Sequence, residues 1–211
     1  YPVSGATAAS ATADPLLSQQ WHLKPASASE EGLGATLAWD TPPQGAAGVQ
    51  GRGVRVAIID GPVDTQHEDL AANIIPGGWF DYRSRTATAP LPCRDLPTET
   101  HGSAVAGIIA APRNNGLGGS GVAPSARLAV YNAISTGSDE DIADALRRDQ
   151  AATHIYHNSW GSPDDGALHP TSPLAASAMA DGLQTGRNGR GSIFVFASGN
   201  GGAREIGRAH V

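Results

Sequence analysis

The chain has 211 residues, of which 40% are hydrophobic and 16% are charged, and its formal net charge is −6. This composition supports one substantial hydrophobic core and argues against a coiled coil or a disordered acidic tail. Lys and Arg are scattered, which argues against nucleic acid as a partner, because phosphate binding needs clustered positive charge. No apolar run reaches the roughly 20 residues that cross a bilayer, so we expect no membrane span in this segment.

Predicted strands and helices alternate along the chain after a polar start. Residues 1–13 are small and polar without periodicity and are expected to be a linker or a pro-segment remnant. Continuous apolar runs predict buried strands at 54–59, 126–131, 153–157 and 193–197. Helical patterns occupy 101–111, 139–149 with Ser138 as the cap, and 172–187. The alternation predicts an α/β fold whose mostly parallel, twisted sheet carries helices on both faces.

Three polar residues stand where these elements begin or end. Asp60 ends the first predicted strand, His101 opens a helix of small residues, and Asn200 lies in a glycine turn after the last strand. Ligands of parallel sheets bind at the carboxyl ends of the strands. A general base needs an imidazole, an orienting carboxylate and donors for an oxyanion, and these residues supply all three.

Each residue also has a simpler interpretation. Asp60 fits a turn residue, His101 a capping or surface group, and Asn200 a left-handed turn position. A metal hydrolase that uses Asp60, His67, Asp69 and His101 is a further alternative, although the chain lacks the metal-binding pattern HExxH.

Six blocks carry a family resemblance when they are taken in order. They are DPLLSQQWHL at 14–23, VAIIDGPVDTQHEDL at 56–70, HGSAVAGIIAA at 101–111, NNGLGGSGVAPSARL at 114–128, IYHNSWGSPDDG at 155–166 and SIFVFASGNGG at 192–202. Together they resemble the subtilases, a family of serine proteases, and the paired aspartates after SWG resemble its kexin and furin-type branch. The resemblance implies a three-layer subtilisin-like fold and a serine endopeptidase.

The resemblance also implies catalytic roles. Asp60 orients the imidazole, His101 is the general acid and base, and the side chain of Asn200 donates to the oxyanion. The family's nucleophile follows in a Gly-Thr-Ser context that this chain does not contain, and neither Ser103 nor Ser198 replaces it. We therefore expect residues 14–204 to be a partial catalytic domain, incomplete at its C-terminus.

The last seven residues, EIGRAHV at 205–211, resemble no protease. The codons GAG ATC GGA AGA GCA CAC GTC, which encode this string, match a widely used sequencing-library adapter. We expect the segment to be a non-native tail and the natural reading frame to continue.

The alternative to a longer active protease is an inactive, calcium-stabilised fragment or a peptide-binding pseudoprotease.

The resemblance further implies the substrate-binding residues. Asp164 and Asp165 would bind a basic residue before the scissile bond, and Ser159, Trp160 and Gly161 would pair with the extended substrate. Trp160 is equally compatible with a core aromatic residue. Kexin-type enzymes carry further acids where this chain has Gly61 and Thr98, so strict dibasic specificity is not implied.

A structural calcium ion is also implied. Its ligands would be the side chains of Asp14, Asp69 and Asn115 and the backbone oxygens of Pro112, Leu117 and Gly119, a hard oxygen set that suits Ca²⁺. Without the resemblance, Asp14 would cap a turn and the glycine-rich loop would be merely flexible.

The resemblance also implies the partners and the location of the protein. The expected partners are peptide substrates and the protein's own pro-segment, and the protein is expected to be a monomer that is secreted or bound to the cell envelope.

Overall fold

The computed structural model describes residues 12–27, 31–41, 48–90, 97–163, 165, 167 and 169–200, without the side chains of residues 97 and 98. The predicted tail at 205–211, most of the predicted linker at 1–13, and Asp164 lie outside the described residues. Within the linker range, Thr12 forms an isolated parallel bridge with Asn115.

The described elements alternate as the sequence predicts. The helices are α1 (Ala35–Asp40), α2 (His101–Ala110), α3 (Asp139–Arg147) and α4 (Pro173–Gly189), with short 3-10 turns at Leu17–Gln19, Trp21–Leu23 and Pro97–Thr100. The strands are β1 (Arg55–Asp60), β2 (Ile74–Asp81), β3 (Arg127–Asn132), β4 (Ile155–Asn158) and β5 (Ile193–Phe196). Four of these strands and three of these helices match the predicted segments.

The five strands form one parallel sheet in the order β2-β3-β1-β4-β5. The predicted parallel sheet is therefore confirmed, and β1 lies at its centre. The edge strand β2 was not predicted, because Pro76, Gly77 and Gly78 interrupt its apolar pattern. Its pairing with β3 shifts register between Ile74 and Trp79, as is typical of glycine and proline in an edge strand.

Apolar side chains cover both faces of the sheet. On one face, Val56 and Ile58 of β1 pack with Ala106 of α2. On the other face, Ile59 of β1 packs in a cluster that includes Leu146 of α3. Burial of such side chains stabilises the fold by about 1.5–3 kcal/mol each. The predicted three-layer α/β arrangement is confirmed. It places the central strand β1, and so its carboxyl end, between the layer of α2 and the layer of α3.

Helix α3 begins as predicted. The hydroxyl of Ser138 accepts a hydrogen bond from the backbone N–H of Asp141 at 3.2 Å, which satisfies one of the free donors of the first turn. Helix α4 loses helical geometry at Gly186, Arg187 and Asn188, so its regular part ends close to the predicted limit. Among the described residues, no helix is both long and apolar enough to cross a membrane.

Candidate active site

Asp60 and His101 meet at the carboxyl edge of the sheet. Strand β1 ends at Asp60 and helix α2 begins at His101, and Nδ1 of the imidazole lies 2.8 Å from Oδ1 of the carboxylate. The Asp60 side chain is 4% exposed, whereas that of His101 is 58% exposed. A proton held on Nδ1 by the carboxylate leaves Nε2 as the basic nitrogen. The pair therefore has the geometry of an oriented general base.

The surroundings of Asp60 strengthen its effect on His101. Oδ1 also accepts the backbone N–H of Gly61 at 2.7 Å. Oδ2 is buried and has no hydrogen-bond donor among the described residues. A carboxylate in a region of low dielectric constant attracts a neighbouring positive charge more strongly than one in water. Asp60 can thus stabilise an imidazolium that forms on His101 during proton transfer.

Gly102 allows the two segments to come this close. A Cβ atom at this position would lie 2.7 Å from the carbonyl oxygen of Pro62 and 2.8 Å from that of Gly61. One residue further on, the hydroxyl of Ser103 accepts the backbone N–H of Asp64 at 2.8 Å. This hydrogen bond joins helix α2 directly to the loop that follows Asp60, so the hydroxyl of Ser103 has a structural role.

We expect Gly102→Ala to push α2 away from Asp60. The added methyl group would meet backbone atoms that cannot rotate away, so unfolding free energy should fall by about 1–3 kcal/mol. Gly107→Ala on the same helix is the matched control, because its Cβ would meet nothing within 4 Å. Urea unfolding monitored by circular dichroism measures both variants. Equal stability of the two variants would contradict the close-approach argument.

Asn200 stands at the same edge of the sheet as Asp60. It follows β5 after Gly199, whose φ is 97°, and the N–H of Ala197 still donates to the carbonyl oxygen of Asn158 at 3.0 Å. The left-handed residue of this turn is therefore Gly199, not Asn200. The role of Asn200 as an oxyanion donor remains a prediction.

Trp160 serves the core. Its Nε1–H donates to the carbonyl oxygen of Ile59 at 2.7 Å, and its ring meets Phe196 edge-on with centroids 5.8 Å apart. Trp160 is thus partly buried against the core. Ser159 and Gly161 flank it, and the pairing of all three residues with an extended substrate remains a prediction.

Asp165 lies on the exposed segment after Gly161. Its Oδ1 accepts the backbone N–H of Ala167 at 3.0 Å, and both carboxylate oxygens lie 3.0 Å from Nε2 of His169. The hydrogen bond from Ala167, followed by that from His169, lowers the pKa of Asp165 below its ordinary value. The side chain therefore favours its ionised form, and its role in binding a basic substrate residue remains a prediction. Asp164 lies outside the described residues.

His157 is a site neighbour that the sequence analysis did not identify. It lies on β4 opposite Ile58 of β1, two residues before Asp60. Its Nε2 lies 2.8 Å from the hydroxyl of Ser159. Burial lowers the pKa of His157, and the nearby charge of Asp60 partly offsets that shift. Only the pairing register of β1 and β4 could have revealed this position.

The predicted calcium ligands converge on the glycine-rich loop. Asp14, 4% exposed, accepts the backbone N–H groups of Asn114 and Asn115, each at 2.9 Å, and the hydroxyl of Ser120 at 2.6 Å. Asp14 therefore organises a loop 100 residues away and is not a local turn cap. The loop itself is held in place by this carboxylate.

Asp69 approaches the same loop from another side. It is 7% exposed, and it accepts the side-chain amide of Asn115 at 2.8 Å and the N–H of Gly119 at 3.1 Å. Within the described part of the chain, neither Asp14 nor Asp69 forms a salt bridge with Lys or Arg. Every carboxylate oxygen of Asp14 and Asp69 accepts a hydrogen bond, and Asn115 presents its side-chain N–H to Asp69. Calcium binding at this loop remains a prediction.

The metal-hydrolase alternative was wrong. Over the described residues, no group of three or more His, Cys, Asp and Glu side chains could hold a metal ion. His67 and Asp69 contact each other through a local bond, in which the N–H of Asp69 donates to Nδ1 of His67 at 3.1 Å. Asp60 and His101 form a separate pair at the end of β1.

Comparison with known proteins identifies the family. The model of the subtilase family of peptidases matches residues 51–209. The chain belongs to the subtilase family. Furin of Rattus norvegicus is 36% identical over 195 residues, and the dibasic-processing endoprotease of Schizosaccharomyces pombe is 38% identical over 191 residues. Each alignment covers 90% of this chain. The predicted kexin and furin-type branch of the subtilases is therefore confirmed.

Solved structures agree with the subtilase assignment. The serine protease of Aeromonas sobria is 30% identical, with a TM-score of 0.69 over 90% of this chain and 32% of that one. A structure of the same protease in complex with a chaperone has a TM-score of 0.70 at 28% identity. This chain covers only 23% of the length of rat furin and 26% of the length of the fission-yeast enzyme.

Proposed function

We propose that the protein is a serine endopeptidase of the kexin and furin type. The observation that carries the proposal is the 2.8 Å contact between Asp60 and His101 at the carboxyl edge of β1, in a chain that belongs to the subtilase family. The nucleophilic serine would lie in a further part of the protein, after the segment described here, in the Gly-Thr-Ser context that the family resemblance implies.

The proposed reaction uses His101 twice. Nε2 of His101 accepts the proton of the serine hydroxyl as the oxygen attacks the peptide carbonyl, and Asp60 stabilises the resulting imidazolium. The side-chain amide of Asn200 donates to the oxyanion that develops. The imidazolium then protonates the leaving amine, and a water molecule, activated by the same imidazole, releases the acyl group.

The proposed substrates carry Arg or Lys before the scissile bond. The ionised carboxylate of Asp165, together with Asp164, would form charge-assisted hydrogen bonds with the basic side chain. Ser159 and Gly161 would hold the peptide backbone beside β4. The name of the fission-yeast relative, a dibasic-processing endoprotease, supports a basic preference. Gly61 and Thr98 lack carboxylates, so one basic residue should suffice.

Peptide cleavage tests the proposal. The longer, serine-containing protein should cleave a peptide with Arg before the scissile bond at least about tenfold faster, in kcat/KM, than a matched peptide with Leu. Asp164→Asn should reduce this ratio by roughly tenfold, because it removes one charge-assisted partner. Equal cleavage of the two peptides would contradict the basic preference. Binding without cleavage would favour the pseudoprotease alternative.

We also propose that Ca²⁺ binds among Asp14, Asp69 and Asn115, with backbone oxygens of Pro112, Leu117 and Gly119. The ion would supply the positive charge that the two buried carboxylates lack within the described residues, and so hold the loop against the start of the catalytic domain. A secreted or cell-envelope monomer that folds with help from its own pro-segment is consistent with this proposal. The Aeromonas sobria protease was solved in complex with a chaperone, which supports assisted folding in general.

A further inference from the structure

His157 lies beside the catalytic pair but does not contact the reacting atoms. Strand pairing places it next to Ile58, on the face of the sheet that α2 covers. Asp60 follows Ile58 by two residues on the same strand, so both side chains lie on that face. His101 reaches the same carboxylate from α2. Both imidazoles therefore lie on the side of the sheet that carries this buried carboxylate, and His101 is the one hydrogen-bonded to it.

The hydrogen bond of His157 links it to the proposed peptide-binding segment. Its Nε2 lies 2.8 Å from the hydroxyl of Ser159, which precedes the anchored Trp160. A neutral imidazole with a free lone pair on Nε2 accepts the hydroxyl hydrogen, whereas an imidazolium has no lone pair to offer. The orientation of the Ser159 hydroxyl thus depends on the protonation state of His157.

The charges around His157 favour its neutral form near pH 7. Strand β5 places the apolar Val195 directly beside it, and burial lowers its pKa. Asp60 at the end of β1 is the charge that acts in the opposite direction. On α2, His101 already engages that carboxylate. A neutral His157 therefore leaves the charge of Asp60 to His101.

We propose that His157 is a positioning residue that, in its neutral form, orients Ser159 of the peptide-binding segment and reserves the charge of Asp60 for His101. This role rests on the proposed endopeptidase function. Protonation of His157 reverses both effects: the Ser159 hydroxyl loses its acceptor, and a second cation competes for Asp60. Peptide cleavage should then fall further on acidification than it does when residue 157 cannot titrate.

The pH dependence of kcat/KM in the longer, serine-containing protein tests this role. On acidification, kcat/KM of the unaltered protein should fall roughly two- to tenfold further than that of His157→Gln, because glutamine can accept the hydroxyl hydrogen but does not titrate. His157→Leu, which loses the bond as well, should raise KM roughly two- to tenfold. Parallel pH profiles of kcat/KM in the unaltered protein and His157→Gln, or an unchanged KM in His157→Leu, would overturn the role.

The control variant is His154→Gln, at the residue immediately before β4, where Nδ1 of His154 accepts the backbone N–H of Arg55 at 3.2 Å. Its pH profile of kcat/KM should run parallel to that of the unaltered protein, and a profile like that of His157→Gln would overturn the assignment of the acid effect to His157. Histidine NMR titration of the 211-residue chain provides a readout that needs no activity. Asp60→Asn should lower the pKa of His157, and an unchanged pKa would overturn the coupling. A longer protein that cleaves no peptide would overturn the proposed function, while this titration still decides the coupling.

Discussion

Replacing His101 with alanine in the longer, serine-containing protein should reduce kcat for peptide cleavage by about four orders of magnitude or more. The imidazole is the general base of the proposed reaction, and no other described group is bonded to Asp60 in the same way. Asp60→Asn should reduce kcat by a similar factor, because the amide no longer fixes the tautomer or stabilises the imidazolium. Stopped-flow or steady-state kinetics of the cleavage of an Arg-containing peptide measure kcat of both variants.

Stability measurements separate this effect from misfolding. The imidazole of His101 is more than half exposed, so its removal should leave the unfolding free energy within about 0.5 kcal/mol of the unaltered value. The double variant Asp60→Asn/His101→Ala should have about the same kcat as His101→Ala alone, since the two residues act as a unit. Retention of more than about a tenth of the original kcat in His101→Ala would contradict its role as the base.

Calcium should raise the thermal unfolding midpoint of the chain. Asp14 and Asp69 are buried, converge on one loop and form no salt bridge within the described residues. An ion that binds the folded state alone stabilises it by about 2.7 kcal/mol at one hundred times its dissociation constant. Differential scanning fluorimetry in Ca²⁺ and in chelator should therefore show a clear difference in midpoint, and Asp69→Asn should remove most of it.

A surface aspartate provides the matched control for the calcium response. Asp181 is about half exposed and pairs with Arg147, so Asp181→Asn should keep the full response. Such exposed pairs contribute about 0–1 kcal/mol to stability. Identical midpoints of the unaltered chain in Ca²⁺ and in chelator would contradict the proposed site. The same result for Asp181→Asn and Asp69→Asn would contradict the choice of ligands.

The strands that the sequence predicts are those buried on both faces. Continuous apolar runs such as 54–59 have one interpretation, because a central parallel strand has no solvent side. Strand β2 escaped prediction because an edge strand tolerates Pro76 and the two glycines that follow it. Its place in the sheet depends on pairing with β3, which is a tertiary contact and has no local signature.

The candidate site likewise has residues that the sequence predicts and others whose position depends on tertiary contacts. The order of Asp60 and His101 in their blocks predicts their chemistry, and the structure brings the two side chains together. Their contact depends on the approach of α2 to the loop after β1, which Gly102 permits and no periodicity reveals. His157 went unnoticed because a histidine within a strand carries no motif. Its proximity to Asp60 follows from the register of β1 against β4.

Mapping the serine that reacts with a fluorophosphonate probe tests the central claim most directly. The longer protein should be labelled once, at a serine in a Gly-Thr-Ser context outside the 211 residues, and His101→Ala should not be labelled. The 211-residue chain alone should stay unlabelled. Labelling that persists in His101→Ala, or mass spectrometry that places the probe on a serine within residues 1–211, would contradict the account.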